Sequence, residues 1–270
     1  MRFFVSPGDI SGNLAKLGAA DAEHIRSLRL RPSERFTVCD GECTDYVCRL
    51  YQKPGENAQI GGNDRGNNDR GNNDRGSNDQ GGGSVAEILE TSPSAGEPSV
   101  SCMVYMAYAQ GERLDFAVQK SVELGARGVV LFPSRRCEAV PRDVAKRLER
   151  LNRIALEAAK QCGRGIVPGV EAAGSFDEAV DWAVQFGRPL FFYEGEQELH
   201  LKQALESVGP TPGDCRFSIM TGPVGGFEPS EVEFAVSSGM AAVTLGPRIL
   251  RCETAPMAAL AAIMYHTGNL

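Results

Sequence analysis

Residues 220–227 (MTGPVGGF) and 244–255 (TLGPRILRCETA), together with the C-terminal helix that follows them, decide the fold of this chain. Each stretch opens at the end of a short apolar run and turns at once to glycine and proline. In an open α/β sheet, ligands bind where strands end, because backbone N–H and C=O groups there have no partner in the sheet. Either loop alone could be an ordinary tight turn. Together they predict one small-molecule pocket lined largely by main chain.

Length and composition are typical of a globular protein. The 270 residues are enough for two domains or one large one, and 42% of them are hydrophobic and 23% charged. The sequence has no apolar run of about eighteen residues, the length that spans a membrane. The start, MRFFVSPGDI, turns polar too early for the apolar region of a signal peptide. We therefore expect a cytoplasmic protein without a membrane span.

The 8 cysteines predict neither a zinc site nor a disulfide framework. Cys39, Cys43 and Cys48 cluster, but their spacing is not that of a CxxC pair, and the chain contains only 3 histidines. We expect reduced thiols and no bound metal.

Charge is unevenly distributed along the chain. The net charge of −7 argues mildly against a polyanionic partner. Between Arg135 and Arg164, however, nine Lys and Arg residues stand against four Asp and Glu residues. This basic stretch is a candidate docking surface for a phosphate backbone, and a solvated helix face is the alternative that periodicity alone leaves open.

Residues 1–99 are predicted to form a small β-barrel with one helix. The helix is expected at 21–30, with Asp21 as its N-cap and with Ile25 and Leu28 facing inward. Three stretches read as strands: 35–40, 44–50 and 85–89.

A five-residue repeat, NDRGN with small variations, fills residues 63–82. It contains no apolar residue, so burial cannot offset the entropy lost on ordering it. We expect a disordered insertion at 61–83 between two strands of the barrel. Phosphate binding through Arg65, Arg70 and Arg75 is the alternative.

Residues 100–270 alternate between strand and helix patterns, which predicts a mainly parallel, Rossmann-like sheet covered on both faces. The expected strands are 100–108, 129–132, 166–170, 189–194, 216–221 and 241–246. The expected helices are 113–124, 142–161, 176–186, 196–208, 230–238 and 254–267. Neither GxGxxG after the first strand nor GxxxxGK(S/T) occurs in the sequence, so NAD binding and P-loop NTP hydrolysis are not favoured.

Several segments resemble the RsmE-type methyltransferases of the SPOUT superfamily, which methylate N3 of a uridine in 16S ribosomal RNA. TGPVGGF and LGPRILRCETA are similar to that family's GPEGGF and LGxRILRxETA loops. KSVELG, SRRC, EAAKQCGR and HIRSLRL, which begin at residues 120, 134, 157 and 24, are similar to further family motifs.

This resemblance implies an α/β fold in which a PUA-like β-barrel, residues 1–99, precedes a SPOUT methyltransferase domain, residues 100–270. In that family the C-terminal domain has a Rossmann-like sheet with a trefoil knot, a rare exception to unknotted chains. The resemblance also implies a homodimer formed through the C-terminal domain and, as partner, 16S rRNA in the small ribosomal subunit.

S-adenosylmethionine is the cofactor that the resemblance implies, without a metal. The residues expected to contact it are Thr221, Gly222, Gly225, Gly226, Leu245, Gly246, Ile249, Leu250 and Arg251. The chain departs from the family at Val224 and at Arg135, each of which stands where the family has Glu. Because main chain would hold the cofactor, we expect its binding to survive Val224.

Methyl transfer from a sulfonium needs alignment, and positioning can supply about 7–11 kcal/mol of the barrier. Uracil N3 carries a proton, so the site needs a base, or a cation near O2 or O4 that stabilises the uracil anion. Arg251 and Glu253 are the candidate catalytic residues, with Arg251 expected to stabilise the anion. For Glu253 and Thr254 the alternative is a structural role at the start of the last helix, with Thr254 as its N-cap.

The candidate RNA contacts are spread over both predicted domains, and the target base is expected to leave its stack to expose N3. They are His24, Arg26, Arg29, Arg136, Gln161 and Arg164.

Two other functions stay open at this point. Val224 and the acidic net charge are compatible with an RNA-binding protein of this fold that has lost catalysis. A knotted methyltransferase acting on transfer RNA is the other alternative, which the N-terminal barrel and the order of the motifs disfavour.

Overall fold

A computed structural model describes residues 1–51, 84–138, 140–206 and 215–270 of the chain. These residues divide into two compact units, Met1–Pro93 and Ser94–Leu270. The repeat at 63–82, the predicted insertion 61–83 and its three arginines, Arg65, Arg70 and Arg75, lie outside the described residues.

The first unit is built on one mixed six-stranded sheet that is curled like a barrel. Its strands are β1 (Arg2–Phe4), β2 (Ile10–Ser11), β3 (Leu14–Leu17), β4 (Phe36–Cys39), β5 (Thr44–Leu50) and β6 (Ser84–Pro93). They follow the order β1-β4-β5-β6-β3-β2, in which only the pair β1 and β4 is parallel among the described strands. A register shift between Val47 and Cys48 bends β5 against β6, as a β-bulge does. The three strands predicted for this part of the chain are confirmed.

Helix α1 (Ala19–Ser27) begins two residues before the predicted N-cap, so the assignment of that cap to Asp21 was wrong. Gly18 occupies the cap position instead. Ile25 is buried as expected, but Leu28 is 45% exposed. The reason is that the helix ends at Ser27 and Arg29 takes a φ of 52°, which turns the chain away before Leu28 reaches the core.

The second unit is a six-stranded parallel sheet with helices packed on it. Its strands are β7 (Ser101–Ala107), β8 (Gly128–Phe132), β9 (Gly169–Ala172), β10 (Arg188–Phe192), β11 (Arg216–Thr221) and β12 (Ala241–Val243). Its helices are α2 (Arg113–Glu123), α3 (Val144–Cys162), α4 (Phe176–Phe186), α5 (Leu201–Glu206), α6 (Pro229–Ser237) and α7 (Thr254–His266). The strand order is β12-β10-β11-β7-β8-β9, and the parallel sheet predicted from the strand and helix alternation is confirmed.

Some boundaries differ from the sequence-based ones for local reasons. The strand predicted at 166–170 begins at Gly169, directly after Pro168, which has no N–H to donate to a neighbouring strand. The helix predicted at 196–208 begins only at Leu201, because the Glu196 carboxylate accepts hydrogen bonds from the backbone N–H groups of Glu198 and Leu199 and holds a turn.

An aromatic cluster anchors one of the glycine loops to the core of the second unit. The ring of Phe227, the last residue of the MTGPVGGF stretch, lies 4.4 Å from the ring of Phe191 and 5.8 Å from that of Phe176, measured between centroids. Phe227 is 2% exposed. The loop is therefore fixed at its C-terminal end by burial of an aromatic side chain.

None of the helices within the described ranges combines the length and the apolar composition that crossing a bilayer requires.

Candidate active site

A cavity of about 970 Å³ lies at the carboxyl ends of three neighbouring strands of the second unit. The last residues of β10, β11 and β12, which are Phe192, Thr221 and Val243, all contribute to its lining. Its walls are the loops that leave these strands, here called the β10 loop (193–200), the β11 loop (222–228) and the β12 loop (244–253). The position is the one where open parallel sheets bind ligands.

Most of the residues predicted to contact the cofactor line this cavity. The exception is Gly225, which faces the side chain of Arg136, so that a Cβ added there would lie 3.1 Å from the Arg136 Cβ. The residues that do line the cavity are Thr221, Gly222, Gly226, Leu245, Gly246, Ile249, Leu250 and Arg251.

Glycine is needed at two of these positions because their backbone adopts left-handed angles. Gly226 has a φ of 69° and Gly246 a φ of 103°. A Cβ on Gly226 would lie 1.9 Å from Oε1 of Glu194, so the glycine also makes room for that carboxylate. A Cβ on Gly246 would meet nothing within 4 Å. The two loops thus present main chain to the cavity.

The β10 and β12 loops are joined by backbone hydrogen bonds around Thr244. Its N–H donates to the carbonyl of Leu199 over 2.9 Å, and its carbonyl accepts from the N–H of Leu201 over 3.2 Å. Its hydroxyl also accepts from the N–H of Gly246 over 3.2 Å. Thr244, the first residue of the TLGPRILRCETA stretch, is therefore held by a segment far from it in sequence.

A buried carboxylate fixes the β11 loop to the turn that follows β8. Glu231, which is 4% exposed, accepts hydrogen bonds from the Ser134 hydroxyl (3.2 Å) and from the backbone N–H groups of Arg135 (3.0 Å) and Glu228 (2.9 Å). On the surface above it, Nε of Arg136 donates to Glu228 over 2.7 Å. This hydrogen bond raises the pKa of Arg136 and is supported by the nearby negative charges of Glu228, Glu194 and Glu231.

The two candidate catalytic residues both line the cavity, at the end of the β12 loop. Arg251 is exposed, whereas Glu253 is half-buried and accepts a hydrogen bond from the thiol of Cys252 over 3.2 Å. Burial tends to raise the pKa of Glu253, but its own backbone N–H, the Cys252 thiol and the charges of Arg113 and Arg251 together outweigh burial and lower it. Glu253 is therefore ionised at neutral pH and is a weak base.

Cys252 stays protonated at neutral pH. Burial, helped by the neighbouring Glu253 carboxylate, raises the pKa of its thiol to about 11. Within the described ranges, no group of three His, Cys, Asp or Glu side chains is placed to hold a metal ion.

Thr254 is not the N-cap of α7, as the sequence suggested. Glu253 occupies the cap position and makes no capping hydrogen bond with its side chain. The backbone N–H groups of Thr254 and Ala255 donate instead to the carbonyl of Arg251, over 2.8 and 3.0 Å. The tight turn at Arg251 satisfies these donors without a side chain.

Sequence reasoning missed two parts of the cavity. One is the β10 loop, with Glu194, Glu196 and His200, which was hidden because its residues were read as strand and helix. The other is Arg113, the first residue of α2, which reaches the cavity from a different part of the sheet. The end of the apolar run at Phe192 is the one sequence signal that marks the missed loop.

The residues predicted to contact RNA fall into three groups. His24, Arg26 and Arg29 are exposed in and after α1 of the first unit. In the second unit, Arg136 is exposed beside the β11 loop, and Gln161 is exposed in a groove formed by α2 and α3.

Arg164 is different, and its prediction as an RNA contact was wrong. It is 2% exposed, and its guanidinium pairs with the Glu97 carboxylate through Nε (2.7 Å) and Nη2 (2.8 Å). Its Nη1 donates to the carbonyls of Val122 and Ala126 over 3.0 and 2.9 Å. The charge is neutralised and the donors are used inside the second unit, so Arg164 is a structural residue.

Comparison with known proteins identifies relatives for the whole chain. A model of the RNA methyltransferase domain family matches residues 96–264. The ribosomal RNA small subunit methyltransferase E of Bacillus subtilis is 32% identical over 68% of this chain and 73% of its own length. The protein of that name from Synechocystis is 30% identical over 97% of this chain and 76% of its own length.

A solved structure is also similar over almost the full length of both chains. The crystal structure of a ribosomal RNA small subunit methyltransferase E from Neisseria gonorrhoeae, bound to S-adenosyl methionine, is 31% identical to this chain. It covers 98% of this chain and 96% of its own, with a TM-score of 0.76. The expected combination of a PUA-like barrel and a SPOUT domain is thereby confirmed.

Proposed function

This chain belongs to the RNA methyltransferase family, with the ribosomal RNA small subunit methyltransferases E among its relatives, and we propose that it methylates N3 of a uridine in 16S ribosomal RNA. The methyl donor in this proposal is S-adenosylmethionine, and the substrate is the RNA in the small ribosomal subunit. The observation that carries the proposal is the cavity at the ends of β10, β11 and β12, which is lined by all the predicted cofactor residues except Gly225.

The cavity fits the proposed donor. Its volume of about 970 Å³ is at the upper end of the usual range for small-molecule sites, roughly 300–1,000 Å³. Its walls contain the main chain of Gly222, Gly226 and Gly246, which offers hydrogen-bonding groups without the bulk of side chains. Val224 lies on the rim and is 48% exposed, so the position where the family has Glu does not intrude on these glycines.

S-adenosylmethionine supplies an electrophilic methyl group, and the residues of the cavity align it with the acceptor nitrogen. We assign Arg251 the task of stabilising the uracil anion, because it is an exposed cation on the cavity lining and hydrogen bonds from a guanidinium to an anionic oxygen are strong. Glu253, with its lowered pKa, is assigned to holding the cationic side chains in place rather than to accepting the N3 proton.

The proposed RNA contacts are exposed polar and charged side chains of both units. Arg136, next to the β11 loop, and Gln161, on α3, are the proposed contacts in the second unit. His24, Arg26 and Arg29 are the proposed contacts in the first unit. A flipped-out uridine is proposed because N3 lies on the edge that base pairing covers.

We also propose that the protein works as a homodimer in the cytoplasm. The partly exposed side of α7 is apolar and contains Ala258, Ala261 and Ala262, and an apolar face of this kind is typical of a helix that packs on a partner. The cytoplasmic location follows from the proposed substrate.

The decisive experiment is methyl transfer from labelled S-adenosylmethionine to small ribosomal subunits isolated from cells that lack this protein. The modified nucleoside is identified by mass spectrometry. We expect N3-methyluridine, and a loss of rate of about 10²-fold in Arg251→Ala, because one electrostatic contact to the developing anion is removed. Arg188→Ala is the matched control, because it removes an exposed side chain at the start of β10, the end of that strand away from the cavity, and it should leave the rate unchanged.

Binding of the methyl donor without any methyl transfer would instead favour an RNA-binding protein that has lost catalysis. The observation that supports this second function is Val224, which stands where the family has Glu. In that case Val224→Glu is the variant to test for recovered activity.

A further inference from the structure

Arg113 lines the cavity, and not all hydrogen-bond donors of its guanidinium have an acceptor. Its Nη1 is shielded from solvent and has no hydrogen-bond partner among the described residues. The Glu138 carboxylate is 3.7 Å from this nitrogen, which is too far for a hydrogen bond. Because Nη1 is covered by protein atoms, a ligand in the cavity would meet the rest of the side chain, 38% of which is exposed.

The pairing with Glu138 leaves Arg113 available to a ligand. The two side chains are 38% and 43% exposed, and ion pairs at such exposure contribute little. On its other side Arg113 interacts electrostatically with Cys252 and Glu253 at the end of the β12 loop. The guanidinium is thus oriented by the carboxylates of Glu138 and Glu253. Neither carboxylate accepts the two parallel hydrogen bonds that a guanidinium can donate.

Arg113 and the carboxylates of the β10 loop belong to different strands at the cavity. Glu194 and Glu196 belong to the β10 loop, whereas Arg113 follows β7, and β11 lies between these two strands. With neighbouring strands about 4.8 Å apart, β7 and β10 are separated by roughly 10 Å. The glycines of the β11 and β12 loops lie along the same cavity.

We propose that Arg113 binds the α-carboxylate of S-adenosylmethionine and so fixes the amino-acid end of the methyl donor. This inference rests on the proposed function and names the contact that orients the donor. A carboxylate accepts two parallel hydrogen bonds from a guanidinium, and a small ligand inside the cavity reaches Arg113. A phosphate of RNA is better matched to Arg251, which is exposed, and to Arg136, which lies outside the lining of the cavity.

The test compares two ligands that differ only in the carboxylate. Binding of S-adenosylmethionine and of its decarboxylated analogue is measured by calorimetry for the unmodified protein, Arg113→Gln and Arg113→Lys. We expect Arg113→Gln to bind S-adenosylmethionine at least about tenfold more weakly, the effect of losing a charge-assisted hydrogen bond. Its affinity for the decarboxylated analogue should equal that of the unmodified protein, and Arg113→Lys should lie between the two for S-adenosylmethionine.

Arg153→Gln is the matched control, since it removes the same charge from an exposed position on α3. It should bind both ligands like the unmodified protein. Equal weakening of both ligands in Arg113→Gln would overturn the proposal in favour of a structural role. Unchanged affinity for S-adenosylmethionine with reduced methyl transfer to RNA would overturn it in favour of an RNA contact.

Failure of the inference is distinguishable from failure of the proposed function. If the unmodified protein methylates ribosomal subunits but binds both ligands equally well, the function stands and the assignment of Arg113 falls. If the unmodified protein binds no S-adenosylmethionine, both are overturned. The ligand preference of the unmodified protein also tests the proposal without relying on the folding of any variant.

Discussion

The guanidinium of Arg164 is buried with its carboxylate partner, so we expect its removal to affect stability rather than RNA binding. Arg164→Gln leaves the Glu97 carboxylate without its cation and should lower the free energy of unfolding by about 3–5 kcal/mol. Urea denaturation measures this loss. Arg153→Gln, on the exposed face of α3, should change stability by less than about 0.5 kcal/mol.

RNA binding by Arg164→Gln tests the structural role of Arg164. If Arg164→Gln kept its stability but bound RNA more weakly, the buried arrangement described above would be wrong. The family resemblance, together with the basic stretch that Arg164 ends, predicts an RNA contact at this position, and periodicity cannot reveal a partner 67 residues away. Glu97 neutralises the charge of Arg164, and no local sequence pattern indicates that the two residues pair.

Gly226 is the residue at which the shape of the cavity is most sensitive to one added methyl group. Gly226→Ala places a Cβ at a φ of 69° and against Oε1 of Glu194, so this carboxylate, which lines the cavity, must move. We expect a stability loss of about 1–2 kcal/mol from the backbone angle and a roughly tenfold loss of affinity for S-adenosylmethionine. Thermal unfolding and calorimetry measure the two effects separately.

Gly239→Ala is the matched control for Gly226→Ala. Gly239 has a φ of 101° and would meet nothing within 4 Å, so the backbone penalty is present without the clash. It should lose similar stability and keep its affinity for S-adenosylmethionine. Equal affinity in the two variants would show that the Glu194 side of the cavity does not contact the donor.

Glu231 connects the start of α6 to the turn after β8. Glu231→Gln keeps the shape of the side chain but loses its charge and one acceptor oxygen, while three donors still point at it. We expect the free energy of unfolding to fall by about 2–3 kcal/mol. Faster hydrogen exchange in the β11 loop should accompany this loss, because that loop enters α6 through Glu228.

Glu233→Gln is the control for this prediction, since Glu233 lies two residues further along α6 and is exposed. It should leave both stability and exchange unchanged. Equal effects of the two substitutions would mean that net charge, and not the buried hydrogen bonds, determines the result.

The sequence predicts the bounds of a helix well where the residues that cap it lie directly at its ends. Helix α3 was expected at 142–161 and lies at Val144–Cys162, because Asp143 caps its first turn and Gly163 takes a left-handed φ of 81° at its end. The β10 loop was not expected, because the turn at Glu196 and the pairing of Leu199 with Thr244 depend on tertiary contacts. The sequence therefore predicts the β11 and β12 loops as walls of the candidate site but does not predict the β10 loop.

The change of sequence pattern near residue 100 predicts the division of the chain into two parts. The structure divides the chain at Pro93, and the short segment that follows belongs to the second unit. Glu97 explains why, since it pairs with Arg164 and also accepts from the backbone N–H of Gly165 over 2.7 Å. Amino-acid composition cannot assign this short segment to one unit or the other, because its contacts are made by single side chains.

The assembly of the proposed homodimer should depend on α7. Its partly exposed residues include Ala258, Ala261 and Ala262, and Tyr265 is 76% exposed, so burying this side on a second copy removes apolar surface from water. Analytical ultracentrifugation of the 29.0 kDa chain should show a particle of about twice that mass. Ala262→Glu should shift the equilibrium to monomer, because a buried carboxylate without a partner is costly.

Ala145→Glu is the matched control for Ala262→Glu, since it introduces the same side chain at an exposed position of α3. It should remain dimeric. If Ala262→Glu also stays dimeric, the interface lies elsewhere on the chain, and if the unmodified protein is monomeric, the proposal of a dimer fails. A monomer that still binds S-adenosylmethionine would show that the three loops around the cavity suffice for the donor, so that any role of the partner copy must lie in binding RNA.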